Sequence, residues 1–216
     1  MRLVASDVRV RYPRARHEVL RGASCEVLQG QSLAIVGPSG SGKSTLLGVL
    51  GGLISPDAGQ VEIQDGHARG ISGNVRPRNV TAWVFQTMNV LAERSALDNV
   101  MVAALVRFGN REAAREEALR CLDAVELSEH TLVPTRALSG GQVQRVVIAR
   151  AMASGRPFIL ADEPTGQLDR ATSQRVMDVL VNTGDPVGIV IVTHDPDVAE
   201  RCDVRVRIDD GRVVPL

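Results

Sequence analysis

The sequence carries no excess of charge: 25 Lys and Arg stand against 25 Asp and Glu. Proteins that bind nucleic acid generally show a basic surplus, so no nucleic-acid partner is expected. Cysteine is scarce, with residues at 25, 121 and 202 and no close pair. That spacing argues against a disulfide framework or a zinc site, and a reducing compartment fits. Long apolar runs are missing as well. No stretch approaches the roughly 18 residues of a membrane-spanning helix, and the opening residues MRLVASDVRVRYP lack the apolar core of a signal peptide. No direct membrane insertion is expected, and any work at a membrane would need another chain to span it.

Lysine is nearly absent, with 24 Arg and a single Lys, Lys43. An ammonium kept where arginine serves everywhere else marks a position that needs a compact point charge. Tyr12 is likewise the only tyrosine. With 44% hydrophobic and 23% charged residues, the chain reads as a folded protein rather than a disordered, collagenous or coiled-coil one. Its 216 residues suit one domain, 1–216, carrying a subdomain.

Alternating apolar residues over Leu3 to Val10 and Val19 to Leu28 predict half-exposed strands in an antiparallel layer. Ser32 to Val36 is a short apolar strand that enters GPSGSGKSTLLGVLGGL, where the spacing becomes helical at Leu46, Leu47 and Leu50. Further strands are expected at 59–63 and 81–85, and helices at 95–108 and 111–127 in a helical subdomain spanning roughly 87–153. A helix over 142–153 follows. Residues 157–161 and 187–193 are continuous apolar runs of the kind buried on both faces of a parallel sheet, with a helix over 170–182 between them. Strands alternating with helices give an α/β fold with a mainly parallel core sheet.

Gly37-Pro38-Ser39-Gly40-Ser41-Gly42-Lys43-Ser44 matches the phosphate-binding loop pattern G-x-x-x-x-G-K-[ST], between a strand and a helix as that pattern requires. Its glycines let successive N–H groups turn toward phosphate oxygens at a helix N-terminus. Lys43 would bridge the terminal phosphates of a bound nucleotide, and Ser44 would ligate Mg²⁺. Phe158 to Glu163 is an apolar strand ending in two acids. Two acids after a strand are often a solvated turn, but paired with the loop at 37–44 they read as a Mg²⁺ ligand, Asp162, and a general base, Glu163. Leu138-Ser139-Gly140-Gly141-Gln142 opens a helix and forms a second anion site. One nucleotide does not need two cradles in one subunit, so the second would serve a nucleotide held by a partner.

Here the chain resembles the ATP-binding-cassette (ABC) ATPases, whose signature LSGGQxQR stands as LSGGQVQR at 138–145. The resemblance covers essentially the whole chain. It implies a phosphate-loop NTPase fold with a parallel core, an antiparallel β subdomain and a helical subdomain. It extends the ATP contacts through Thr45 and assigns Ser139, Gly140, Gly141 and Gln142 to the ATP of a second ATPase subunit, most simply an identical chain. Tyr12 stands where the family's adenine-stacking ring lies, although an ordinary strand aromatic would also fit. Gln86, after AWVF, corresponds to the glutamine that touches Mg²⁺ and the attacking water. His194, after IVIVT, corresponds to the histidine that contacts the γ-phosphate and orients Glu163. Asp169, in TGQLD, corresponds to the loop lining the dimer interface. His17, His67 and His130 show no partner pattern and are expected to be exposed, and Asp209-Asp210-Gly211 to form a turn.

DEPTGQLD, SGSGKSTLLGVLGGL and VFQTMNVLAERSALDNV resemble the branch that powers lipoprotein release, macrolide and peptide export, and the cell-division complex. Members of that branch act mechanically on a separate integral-membrane permease, from the cytoplasmic face of a bacterial membrane. The chain departs from it at Gln167, at Asp98-Asn99, at Ala92-Glu93 and in a shorter polar stretch between Asp65 and Val80. These departures leave the catalytic motifs intact and bear on the partner contact, because the segment after Gln86 is where a permease helix would dock. A non-transport ATPase such as a cell-division regulator is the alternative. A soluble translation or repair factor would carry two cassettes or a long insert, and a catalytically silent cassette would not retain Lys43, Gln86, Asp162, Glu163 and His194 together.

Overall fold

The computed structural model describes residues 1–13, 15–65, 76–166, 168–181 and 186–216. In chain order the elements are β1 (Arg2–Val10), β2 (Leu20–Leu28), β3 (Ser32–Val36), α1 (Lys43–Leu50), β4 (Ala58–Gln64), α2 (Pro77–Val80), β5 (Thr81–Val84), α3 (Ala96–Phe108), α4 (Arg111–Ala124), α5 (Gly140–Ala153), β6 (Phe158–Asp162), α6 (Arg170–Val181), β7 (Gly188–Val192), α7 (Pro196–Glu200), β8 (Val204–Asp209) and β9 (Arg212–Pro215). Two 3-10 turns, Ser128–His130 and Thr135–Ala137, lie between α4 and α5. The chain forms two compact units: residues 1–81, 157–162 and 184–216, and residues 82–156 and 163–183.

In the first unit β1 pairs antiparallel with β2 on one side and β4 on the other, the layer expected from the alternation in both N-terminal segments. A second sheet holds β6, β7, β3, β8 and β9 in that order, parallel except for the final hairpin. β3 and β7 are enclosed on both faces: Leu33, Ala34, Ile35 and Ile189 to Val192 are almost wholly buried. Continuous β-branched and aliphatic runs are what such a position demands. Gly188 has a packing reason, since a Cβ there would lie 2.5 Å from the Phe158 ring and 2.7 Å from the Leu28 carbonyl. The hairpin turn falls at Asp210-Gly211, as expected, and the polar stretch of 66–75 lies outside the described residues.

In the second unit α3, α4 and α5 pack together. α3 opens with a capping box, Ser95 Oγ accepting from the Asp98 N–H while Asp98 accepts from the Ser95 N–H. Asn99, 1% exposed, fastens the preceding segment: its Oδ1 accepts from the Leu91 N–H at 2.7 Å, and its amide donates to the carbonyls of Ser95 at 2.9 Å and Leu91 at 3.1 Å. The same segment is bonded to residues 131–136. The Thr135 hydroxyl and N–H donate to the Leu91 and Arg94 carbonyls, the Arg136 N–H to that of Ala92, and the Leu97 N–H to that of Thr131. α4 stops at Ala124 rather than at Leu127, because Glu126 takes a left-handed conformation (φ 58) that a helix cannot continue through. Leu127 is nevertheless fully buried, so its apolar character reflects the core and not the helix.

Three hydrogen bonds from one buried side chain make Asn99 a sensitive point. Asn99→Ala should lower stability by about 2 kcal/mol, because it strands polar groups that water reaches poorly. Urea denaturation measures this, and a loss below about 0.5 kcal/mol would show that the 91–95 segment is held by other means.

Candidate functional site

The register of three parallel strands builds one edge of the first unit. Ile35 lies opposite Val192 and Val192 opposite Asp162, so β3, β7 and β6 end level with one another. Gly37, His194 and Asp162 therefore emerge at the same carboxyl edge, where ligands of parallel α/β sheets bind. The loop from β3 to α1 needs its glycines for separate reasons. At Gly37 (φ 148) a Cβ would meet the Ile208 carbonyl at 2.6 Å, and at Gly42 (φ 105) it would meet Leu20 at 2.9 Å and the Val19 carbonyl at 3.0 Å. Gly42 is the N-cap of α1 and supplies no side chain, so the first N–H groups of the helix have no side-chain acceptor.

Lys43 folds back over this loop. Its Nζ donates to the carbonyls of Gly37 at 2.8 Å and Pro38 at 2.9 Å, leaving one of its three N–H donors. Ser41 Oγ is buried and has no hydrogen-bond partner among the described residues. An uncapped helix N-terminus, an ammonium with donor capacity and an orphaned hydroxyl around one glycine loop suit a polyphosphate. Pro38, Ser39, Gly40 and Ser44 are exposed, while Thr45 is buried. The Thr45 hydroxyl meets the hydroxyl of Tyr12 at 3.2 Å, so the half-exposed tyrosine lies against the start of α1.

Asp162 is the last residue of β6 and half-buried. His194 follows two residues after β7 and is exposed. Its backbone is bracketed by Thr193, whose hydroxyl accepts from the Asp195 N–H at 3.0 Å, and by Asp195, which caps α7 through the Asp197 N–H at 2.9 Å.

The second unit holds the remaining candidates. β5 ends at Val84, so Gln86 stands two residues beyond the strand instead of closing it, and is exposed. Trp83 and Phe85 stack immediately before it, ring centroids 4.9 Å apart. Glu163 has φ 50, a left-handed backbone that costs a non-glycine residue on the order of 1 kcal/mol and tends to be kept at functional turns. Asp169 stands before α6, accepting from the Thr172 hydroxyl at 2.7 Å and its N–H at 3.0 Å. These bonds hold its carboxyl below the usual carboxylate range.

α5 begins at Gly140, two residues earlier than the periodicity predicts, because Ser139 and Gln142 form a capping box. The Ser139 N–H donates to Gln142 Oε1 at 2.8 Å, and the Gln142 N–H to Ser139 Oγ at 3.3 Å. The expectation for His130 is wrong: it is half-buried, and its Nε2 lies 3.0 Å from Gln142 Nε2. No motif announces it, since the contact depends on the turns between α4 and α5. His17 is exposed, and His67 lies outside the described residues, as does Gln167. The three cysteines are free, and burial, with nearby carboxylates, pushes the Cys25 and Cys121 thiols up to about 12 and Cys202 to about 11. None is a thiolate at neutral pH.

Residues 20–166 match the ABC transporter family model. The chain is 43% identical over 207 residues to the lipoprotein-releasing system ATP-binding protein LolD of Bordetella pertussis, covering 93% of this chain and 89% of that protein. It is 41% identical to LolD of Granulibacter bethesdensis over 202 residues, 91% of this chain and 88% of the relative. Among solved structures, the ATP-binding cassette MJ0796, in a dimeric post-hydrolysis state bound to ADP and Pi, superposes with a TM-score of 0.84 at 32% identity, covering 98% of this chain and 96% of that one. A model match across most of the sequence, relatives spanning nine-tenths of it and a shared fold lead to one conclusion: the chain belongs to the ABC transporter family.

Proposed function

We propose that this chain is the ATP-hydrolysing subunit of a bacterial lipoprotein-releasing ABC transporter. It would work as one of two identical cassettes on the cytoplasmic face of the membrane, against a separate integral-membrane permease. The observation that carries the reading is the phosphate cradle at 37–45, with unused donors at Lys43, Ser41 and the α1 N-terminus. The substrate class rests on the identity of about 40% to LolD proteins over nine-tenths of the chain.

In this reading Gly37 to Thr45 bind the phosphates through backbone N–H groups, Lys43 neutralises the terminal pair, and the ring of Tyr12 offers a face to the base. Mg²⁺ bound with the nucleotide would be held by Ser44, Gln86 and Asp162 and would offset phosphate charge, as hard oxygen ligands and phosphates suit that ion. Glu163 takes a proton from the attacking water, and His194 contacts the γ-phosphate and orients Glu163. Ser139, Gly140, Gly141 and Gln142 of a second copy close over the same γ-phosphate, with Asp169 lining the interface. Cleavage removes the group that both copies share, so the closed state loses its advantage and the dimer opens. Among the described residues no helix is long and apolar enough to cross a membrane, which agrees with a separate permease.

In this reading a cavity of the second unit would seat that permease. A cavity of about 320 Å³ is lined by Leu91, Met101, Val102 and Leu105, with Arg94, Arg111 and Asp98 at its polar margin. Leu91 and Val102 are about half exposed. An amphipathic helix with an apolar face and an acidic residue suits it.

Lys43→Ala should weaken ATP binding about 10- to 100-fold, the worth of one charge-assisted contact; an unchanged affinity in a nucleotide titration would count against the cradle. Glu163→Gln should bind Mg·ATP normally and hydrolyse it about 10² to 10⁴ times more slowly, and a near-parental rate would remove Glu163 from the base role. The reading as a whole is tested by purifying the Glu163→Gln protein with ATP from its native membranes. Recovery of an integral-membrane permease is expected. Recovery of soluble proteins alone, with ATP-dependent dimers still forming, would favour a regulatory ATPase.

A further inference from the structure

A hydrogen-bond chain runs behind the signature loop, and its polarity can be read from one fixed point. The backbone N–H of Ser139 is a donor only, so the side-chain atom of Gln142 that meets it at 2.8 Å is the carbonyl oxygen Oε1. This orients the amide of Gln142 and points its Nε2, a donor only, at Nε2 of His130, 3.0 Å away. His130 Nε2 then accepts, which assigns the ring N–H to Nδ1. Gln142 in turn donates its N–H to Ser139 Oγ, closing the capping box. The turn that carries His130 is anchored on both sides: its N–H donates to the Leu127 carbonyl, and its carbonyl accepts from the Val133 N–H.

From this chain we infer that His130 is a positioning residue for the signature loop. By accepting from Gln142 it gives the amide a second fixed bond beside that from the Ser139 N–H, and so steadies the capping box formed by Ser139 and Gln142. Without that acceptor the amide keeps only its bond to the Ser139 N–H, so the Gln142 side chain loses its second anchor and the cap is held less firmly. The inference rests on the proposed role of residues 139–142 in holding the ATP of a second copy. His130 touches no ATP in this account; it acts through Gln142.

The test uses the full chain carrying Glu163→Gln, so that ATP persists, and reads the ATP-driven dimer constant by sedimentation velocity. His130→Leu keeps bulk and removes the acceptor; it should weaken dimerisation about tenfold or more while leaving the ATP affinity of the monomer unchanged. His130→Gln, whose side-chain oxygen reaches about as far as Nε2, should restore dimerisation to within about threefold of the parent. On a Gln142→Ala background, His130→Leu should add nothing, since the two residues act as one unit. A parent-like dimer constant for His130→Leu overturns the inference. So does equal damage from Leu and Gln, or a further loss on the Gln142→Ala background. Ser139→Arg separates the two levels: if it abolishes the dimer while His130→Leu does not, only the inference fails, and if it leaves the dimer intact, the role of the signature loop fails with it.

Discussion

The enclosure of β3 between parallel partners governs the geometry of the first unit. Buried on both faces and bonded along both edges, Ser32 to Val36 has no freedom to shift register without exposing Leu33, Ala34 and Ile35. The end of the strand is therefore a fixed point from which Gly37 turns against the Ile208 carbonyl. β7 and β6 stop level with it, so His194 and Asp162 share its edge without any direct bond being required to place them. A site for a highly charged ligand needs such rigidity, because donors held in place need not reorganise when the charge arrives.

The second unit is built by polar rather than apolar constraint. Asn99 and Thr135 tie the segment at 91–95 to that at 131–136, and the latter runs within three residues of Ser139. The cavity beside α3 and the start of α5 thus share one hydrogen-bonded scaffold.

Much of this was legible in the sequence, for identifiable reasons. The run SLAIV followed by GPSGSGKS reads clearly because a doubly buried parallel strand must be continuously apolar and a phosphate loop must be glycine-rich. FILADE reads for the same reason at its apolar end. Boundaries were less legible where side chains set them: α5 starts at Gly140 because Ser139 and Gln142 cap it, and the S-x-x-Q spacing that signals this was present. Leu127 looked helical because its burial imitates a helical period, while the turn at Glu126 leaves no composition signal. His130 and Asn99 were not legible. Each acts through contacts set by the tertiary path of the loops around it, and neither spacing nor residue type discloses those contacts.

The central claim is that one nucleotide is held by residues 37–45 of one copy and 139–142 of another. Amide hydrogen exchange of the Glu163→Gln protein, with and without Mg·ATP at protein concentrations below and above dimer formation, tests it directly. The account predicts that ATP protects 37–45 at both concentrations and 139–142 only where dimers form. Protection of 139–142 by ATP in the monomer, or its absence in the dimer, would contradict the account.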